Sequence, residues 1–343
     1  MPNVGTPASP MRESDPSHSD AIADSPSSGG VRWLAVAGAA AAGLTLVALT
    51  ARATAHLVTR LPRYLRRPRQ AGGLDLEPVS FPSLDGTPLR GWLARAGASE
   101  ARGVGILCHG YMQDHLDVVP VARFLQRAGY TCLLFDFRAA GQSGGDRCTI
   151  GYQEALDVRG ALRFLASLPE MEGRPRFGVG RSMGGAALAL AAPHAPELAA
   201  LVLDGVYPDL RQALDSRCRL IWGPLGPLAA RAALPVLRRA LGVEPAEVSP
   251  RAVLQQLEGV PTLLIHADWD IFIPQKVARA MAESTAEPKE FWQVPRATHC
   301  WAHVWYAHAY ERRVLAFLER SLPHGRNIDL TTAIQPRNIG CGE

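Results

Sequence analysis

Phe177-Gly178-Val179-Gly180-Arg181-Ser182-Met183-Gly184-Gly185 is the stretch that decides the fold. Its first residues are apolar and strand-like, and the Ala-rich segment after Ser182 is helix-like. Between them lies G-x-S-x-G. A serine on so sharp a strand-to-helix turn needs small residues two positions away on either side, which Gly180 and Gly184 supply. The N-terminus of the following helix favours negative charge developing at the serine. A glycine-rich turn without chemistry is the plainer reading of G-x-S-x-G alone; the flanking strand and helix argue against it.

A serine hydroxyl is a weak nucleophile and needs a base, which a third group must orient. On a strand–serine–helix scaffold the acid and then the histidine follow the serine in the chain. Downstream, Leu263-Leu264-Ile265-His266-Ala267-Asp268-Trp269-Asp270 is a buried strand running into a loop with two acids, and Pro274 suits the start of the next helix. Phe291–Val294 is a strand whose following loop ends in His299. Asp270 is the preferred acid, with Asp268 and Asp204 as alternatives. Of the ten histidines, His299 alone directly follows the last strand. His303 and His308 fall on the final helix, His266 reads as structural, and His194 and His56 lack catalytic context. For the oxyanion, the amides of Met183 and Tyr111 are expected as donors, with Gly110 permitting the close turn and His109 as a structural hydrogen-bonder.

Working outward, short apolar runs alternate with amphipathic segments from about Leu76. Strands are expected at Val79–Leu84, Leu89–Leu93, Val104–Cys108, Thr131–Phe135, Arg176–Val179, Leu201–Leu203, Thr262–Ile265 and Phe291–Val294. Helices are expected at Val118–Ala128, Tyr152–Ser167, Met183–Ala192, Gln275–Ala282 and Val304–Leu322. This is an α/β pattern: a mostly parallel sheet covered by helices on both faces. From Pro208 to Glu258 the alternation stops, and Pro224, Pro227 and Pro235 are expected to break a cap into short helices.

The N-terminal fifth differs. Residues 1–30 are rich in Ser, Pro, Asp and Gly and read as a disordered tail. Trp33 to Ala51 carries no charge over about 19 residues, or about 28 Å as a helix, near the thickness of a bilayer core. We expect a membrane-spanning helix over 31–51, a basic juxtamembrane linker over 52–72, the catalytic domain over 73–322 with its cap at 208–258, and a tail over 323–343. A cleaved leader, ending at Ala53-Thr54-Ala55, fits less well because Glu13, Asp15, Asp20 and Asp24 lie in what would be its basic region. Arg52, Arg60, Arg63, Arg66, Arg67 and Arg69 follow the apolar segment, so a single-pass protein with its catalytic domain in the cytoplasm is expected. Leu57, Val58, Leu61 and Leu65 recur at helical spacing, as in a helix lying on an anionic lipid surface. A chain starting near Gly72 would keep every candidate catalytic residue.

The net charge of +4 is modest and no nucleic-acid-binding signature accompanies it, so no nucleic-acid partner is expected. Cys108, Cys132, Cys148, Cys218, Cys300 and Cys341 form no C-x-x-C pair. No metal, no cofactor and a reducing compartment are expected.

Taken together the chain resembles the α/β-hydrolase superfamily, in the branch of monoacylglycerol-lipase-like and serine-aminopeptidase-like enzymes, over about residues 75 to 322. The resemblance rests on His109-Gly110-Tyr111, Gly129-Tyr130, Phe135-Asp136-Phe137-Arg138, Gly141-Gln142-Ser143, Thr149-Ile150-Gly151-Tyr152-Gln153-Glu154, Asp157, Gly180–Gly185, Asp270, Ile273-Pro274 and His299. Where that branch usually reads Arg-Gly-His-Gly, this chain has Arg138-Ala139-Ala140-Gly141. The resemblance implies an ester hydrolase acting through Ser182, Asp270 and His299 on a small ester or lipid. A peptidase or amidase of the same fold is the alternative, with Asp209, Asp215, Glu244 or Glu247 available to hold a substrate amino group. A membrane-anchored scaffold without chemistry is the other, and no triad member is missing.

Overall fold

The computed structural model describes residues 28–60, 74–97 and 101–323. The sequence elements appear in order: α1 (Ser28–Thr59), β1 (Glu77–Pro82), β2 (Pro88–Ala94), β3 (Val104–Cys108), α2 (Val119–Arg127), β4 (Thr131–Asp136), α3 (Glu154–Ala166), β5 (Arg176–Arg181), α4 (Met183–Ala191), β6 (Leu198–Asp204), α5 (Leu210–Trp222), α6 (Gly226–Leu241), α7 (Pro250–Gln256), β7 (Thr262–Ala267), α8 (Gln275–Ser284), β8 (Lys289–Val294), α9 (Ala302–Trp305) and α10 (Ala307–Ser321).

The eight strands form one sheet in the order β1-β2-β4-β3-β5-β6-β7-β8. β1 and β2 are an antiparallel hairpin, β2 lies antiparallel to β4, and the six strands from β4 to β8 run parallel. Alternate residues feed two apolar layers, one per face. Ile106, Leu133, Phe135, Leu201 and Leu203 enter one layer with α3 and α4. Leu107, Leu134, Phe177, Val179 and Val202 enter the other with α2 and α10. Burial on both sides is why these strands read as unbroken apolar runs.

Element ends shift by up to three residues from the sequence reading, as at β1 and β6, and three features differ more. Pro235 does not break the cap: it lies inside α6, where burial of Ala229, Ala230, Ala233, Leu237 and Leu241 offsets the missing hydrogen bond. The last helix is two, interrupted at Tyr306. The third concerns α1.

The chain divides into two units, Met1–Val47 and Ala48–Glu343. In the first, the helical residues Trp33, Leu34, Val36, Leu44 and Leu46 are exposed, and the stretch Arg32–Thr59 is long and apolar enough to cross a membrane. In the second, the end of α1 is amphipathic: Ala51, Thr54, Ala55, Val58 and Thr59 are buried, one helical stripe. The main-chain oxygen of Val58 accepts from the Tyr111 hydroxyl (2.7 Å), that of Thr59 accepts from the Cys148 amide (2.8 Å), and Thr54 Oγ1 accepts from Trp222 Nε1 (3.1 Å). Residues 52–59, expected as linker, are therefore helix and part of the folded domain. Val58, expected at a lipid surface, is in the core, while Leu57 is exposed; Leu61 and Leu65 lie outside the described residues, as do most of the tails at 1–30 and 323–343. Cys108, Cys132, Cys148, Cys218 and Cys300 are free, buried thiols; Cys341 is outside the described residues.

Candidate active site

Ser182 stands between β5 and α4 at φ 49° and ψ −114°, a left-handed backbone held by its neighbours. Its amide donates to the Asp204 carbonyl at 2.7 Å. The two motif glycines are sterically required. A Cβ on Gly180 would stand 2.5 Å from the Gly185 Cα, and one on Gly184 2.3 Å from the Cys108 carbonyl oxygen, backbone atoms that cannot move aside. A helix rich in Ala and Gly can pack this closely under the sheet, and six of the nine residues of α4 are Gly or Ala.

Parallel topology brings the loops after β5, β7 and β8 to one edge of the sheet, where open α/β sheets build their sites. His299 Nε2 lies 2.9 Å from Ser182 Oγ, and its Nδ1 lies 2.6 Å from Asp270 Oδ2. The other oxygen of Asp270 accepts from the amides of Phe272 (2.8 Å) and Ile273 (3.0 Å), so the carboxylate is fixed in orientation. With Asp270 buried and acceptor-only, the network places the proton on Nδ1 and leaves Nε2 as the acceptor for the serine hydroxyl. His266 is 3.9 Å from Asp270 and burial depresses its pKa, so it stands beside the pair as a neutral ring.

Neither alternative acid bonds His299, whose Nδ1 goes to Asp270. Asp268 accepts from the side-chain amides of Gln275 (3.0 Å) and Gln293. Asp204 is fully buried at the end of β6, and burial pushes its pKa up to about 6. Its Oδ2 has no partner among the described residues.

Met183 opens α4, so its amide is one of the first-turn N–H groups with no helical partner. Tyr111 follows Gly110 in the loop after β3 and lines the same cleft as Ser182. His109 is structural, as its residues suggested: Nδ1 donates to the Gly110 carbonyl (2.8 Å) and Nε2 accepts from the Phe137 amide (3.0 Å). His303 donates to the Cys300 carbonyl (3.0 Å), and burial lowers its pKa to about 4.

Two arginines escaped the sequence reading. Arg181, the free position of the motif, is buried; it pairs with Asp117 and donates to the Cys300 carbonyl. Asp117 in turn accepts from the Gly110 amide (3.1 Å). One guanidinium thus ties the loop of Tyr111 to the loop of His299. Arg217, on the cap helix α5, stands over the rings of Tyr111 (4.4 Å) and Phe272 (4.7 Å). Nothing in the local sequence separates it from Arg211 or Arg219, because only the folding of the cap onto the sheet turns it inward.

The cleft has a volume of about 710 Å³ and includes Ser182, His299, Arg217 and Tyr111. Its rim exposes Met112, Trp269, Ile271, Trp301 and Val304. A recess of about 20 Å³ continues beneath the cap, past Ser182 and Arg217 to Met183, Tyr207 and Ser216. Among the described residues no group of acids, cysteines and histidines is arranged to hold a metal.

The serine aminopeptidase (S33) family model matches residues 99–237. The chain is 27% identical over 254 residues to the uncharacterized protein YqkD of Bacillus subtilis (strain 168), covering 71% of this chain and 80% of the relative. The esterase Pf2001 of Pyrococcus furiosus superposes with a TM-score of 0.65 at 24% identity, over 78% of this chain and 99% of that one. The α/β hydrolase GrgF of Penicillium sp. sh18 superposes with a TM-score of 0.59 at 24% identity, over 73% of this chain and 99% of its own. The doubly covered sheet, the serine turn at its centre and these likenesses agree: the chain has the α/β-hydrolase fold, and its residues 99–237 are similar to the serine aminopeptidase (S33) family.

Proposed function

We propose that this protein hydrolyses carboxylic esters through an acyl-serine intermediate, with Ser182 as nucleophile, His299 as base and Asp270 as its orienting acid. The observation that carries the reading is one imidazole bonded at once to Ser182 Oγ (2.9 Å) and Asp270 Oδ2 (2.6 Å). His299 takes the hydroxyl proton as Oγ attacks the carbonyl, and the imidazolium is stabilised by Asp270. The amides of Met183 and Tyr111 receive the oxyanion. On collapse, His299 returns the proton to the leaving alcohol; a water then repeats the sequence on the acyl-enzyme.

Two features favour a lipophilic ester. The cleft is rimmed by exposed Trp269, Ile271 and Trp301, and the end of α5, the start of α6 and the turn between them expose Leu220, Leu228 and Leu225. An apolar surface of this kind, on a chain that also carries a candidate span, suits a substrate drawn from a lipid phase. The same setting supports a single-pass membrane protein with a cytoplasmic catalytic domain, the side the arginines after α1 favour.

The peptidase alternative needs a carboxylate to meet a substrate amino group. Asp209 caps α5, Asp215 pairs with Arg211, and Glu244 pairs with Arg238. The acid that lines the cleft, Asp117, is paired with Arg181. The charge offered to a substrate is positive, which favours the ester reading.

A fluorophosphonate label should attach to the wild-type protein and not to Ser182→Ala. Ser182→Ala and His299→Ala should each lower ester turnover by on the order of 10⁶, and the double variant should be hardly worse, because the residues act as one unit. Losses that multiply would dismiss the triad. Aminoacyl amides cleaved faster than esters of matched size would favour the peptidase.

A further inference from the structure

Arg217 is half-buried in the wall of the cleft, yet no carboxylate faces it. Its guanidinium lies between two aromatic rings, with Tyr111 at 4.4 Å and Phe272 at 4.7 Å. Phe272 is itself edge-on to His299, the centroids 5.0 Å apart, so the cation is one ring from each side of the reacting centre. It lines both the open cleft and the inner recess.

The nearby acids Asp117, Asp209 and Asp215, and His299, are each engaged with another group. Asp117 is paired with Arg181 and the Gly110 amide; His299 is bound to Asp270; Asp215 is paired with Arg211; Asp209 accepts from the Gln212 amide. The titratable neighbours of Arg217 are the hydroxyls of Tyr111 and Tyr207 and the thiols of Cys148 and Cys300, which burial keeps neutral, and burial pulls the pKa of Arg217 down. Aromatic rings occupy the faces of a guanidinium and leave its in-plane N–H fork for a planar anion. Among the described residues, no carbonyl or carboxylate takes that fork. A cation partly withdrawn from water and without a counter-charge is suited to a ligand that supplies the charge.

We propose that Arg217 recognises an anionic group on the substrate, so that the substrate is an amphiphilic ester carrying a carboxylate or phosphate close to the scissile bond. This rests on the ester-hydrolase reading of the same cleft. The apolar rim takes the chain, while Arg217 takes the charge and sets which esters are held against Ser182. Arg217 is thus a specificity residue rather than a participant in proton transfer.

Two pairs of esters test it on the full-length protein. The first is 4-nitrophenyl glutarate against 4-nitrophenyl pentanoate, which places a carboxylate on the acyl side. The second is 1-butyrylglycerol 3-phosphate against 1-butyrylglycerol, which places a phosphate on the alcohol side. In at least one pair the anionic ester should have the higher kcat/KM. Arg217→Gln should cut that anionic-to-neutral ratio by about 10- to 100-fold, chiefly through KM, the range of a lost charge-assisted hydrogen bond. Arg217→Lys should restore part of it. The responding pair identifies the side of the ester that carries the charge. Ratios that Arg217→Gln leaves within twofold in both pairs overturn the proposal, and because each ratio is internal, a general loss of folding does not mimic success. If none of the four esters is cleaved, the hydrolase reading fails separately. Calorimetry with free glutarate and with inorganic phosphate then decides the anion site: binding lost in Arg217→Gln supports it, and equal or absent binding in both proteins refutes it.

Discussion

Asp270 and Asp204 are both buried carboxylates at strand ends near His299, but only Asp270 bonds the imidazole, and its remaining oxygen is satisfied by two amides. Asp270→Asn should therefore lower turnover on the order of 10⁴-fold by favouring the wrong imidazole tautomer. Asp268→Asn should cost far less, since Asp268 is held by two glutamines. Near-normal rates in Asp270→Asn would move the acid role elsewhere. Asp204 has a different signature. Burial raises its pKa to about 6, above the ordinary carboxylate range, so the folded protein prefers it protonated. Its ionisation costs stability fully above about pH 6, and that cost vanishes below about pH 4. Asp204→Asn should raise Tm relative to wild type at pH 8, with the gain disappearing at pH 4. A Tm difference independent of pH would contradict this.

At the scale of elements, the end of α1 is the revealing case. Its stripe of Ala51, Thr54, Ala55, Val58 and Thr59 is buried, and Val58 holds the hydroxyl of Tyr111 in the cleft. A chain starting near Gly72 retains the whole triad but loses three hydrogen bonds and the burial of Val58, about 5 kcal/mol together. We expect its Tm to lie about 10 °C below that of a chain starting at Ala48. Its ester turnover should fall too, because Tyr111 loses its anchor. Differential scanning fluorimetry and a short-chain ester assay on the two chains check this; equal Tm values would return residues 52–59 to the role of a linker. In the sequence these residues read as a linker because Arg52 opens them and five more arginines follow by Arg69, and a five-residue buried stripe is visible only when its partner surface is known.

On the scale of the whole molecule, the apolar part of α1 contributes no group to the triad. The full-length protein should sediment with membranes and resist carbonate extraction, and the chain starting at Ala48 should be soluble. Both should hydrolyse a short soluble ester at similar rates. The shorter chain should fall behind on dispersed long-chain esters, because tethering raises the local concentration of a membrane-borne substrate. Protease added to intact cells or spheroplasts should leave the catalytic domain uncut; its digestion from outside would reverse the orientation read from the arginines.

Fold class, strand order along the chain, the serine turn and the residues that meet there were legible in the sequence alone. Each depends on local chemistry: apolar runs mark doubly buried strands, and only small residues fit around Ser182. The order of loops after strands pointed to the loop that holds both Asp268 and Asp270, and the tertiary structure decides which of the two bonds His299. Arg181, Arg217 and the buried end of α1 were not legible, since their partners, Asp117, the Tyr111 and Phe272 rings, and the Tyr111 hydroxyl, lie far away in the chain. A surface arginine and an inward one have the same sequence signature, and burial of either is decided by what the tertiary structure packs against it.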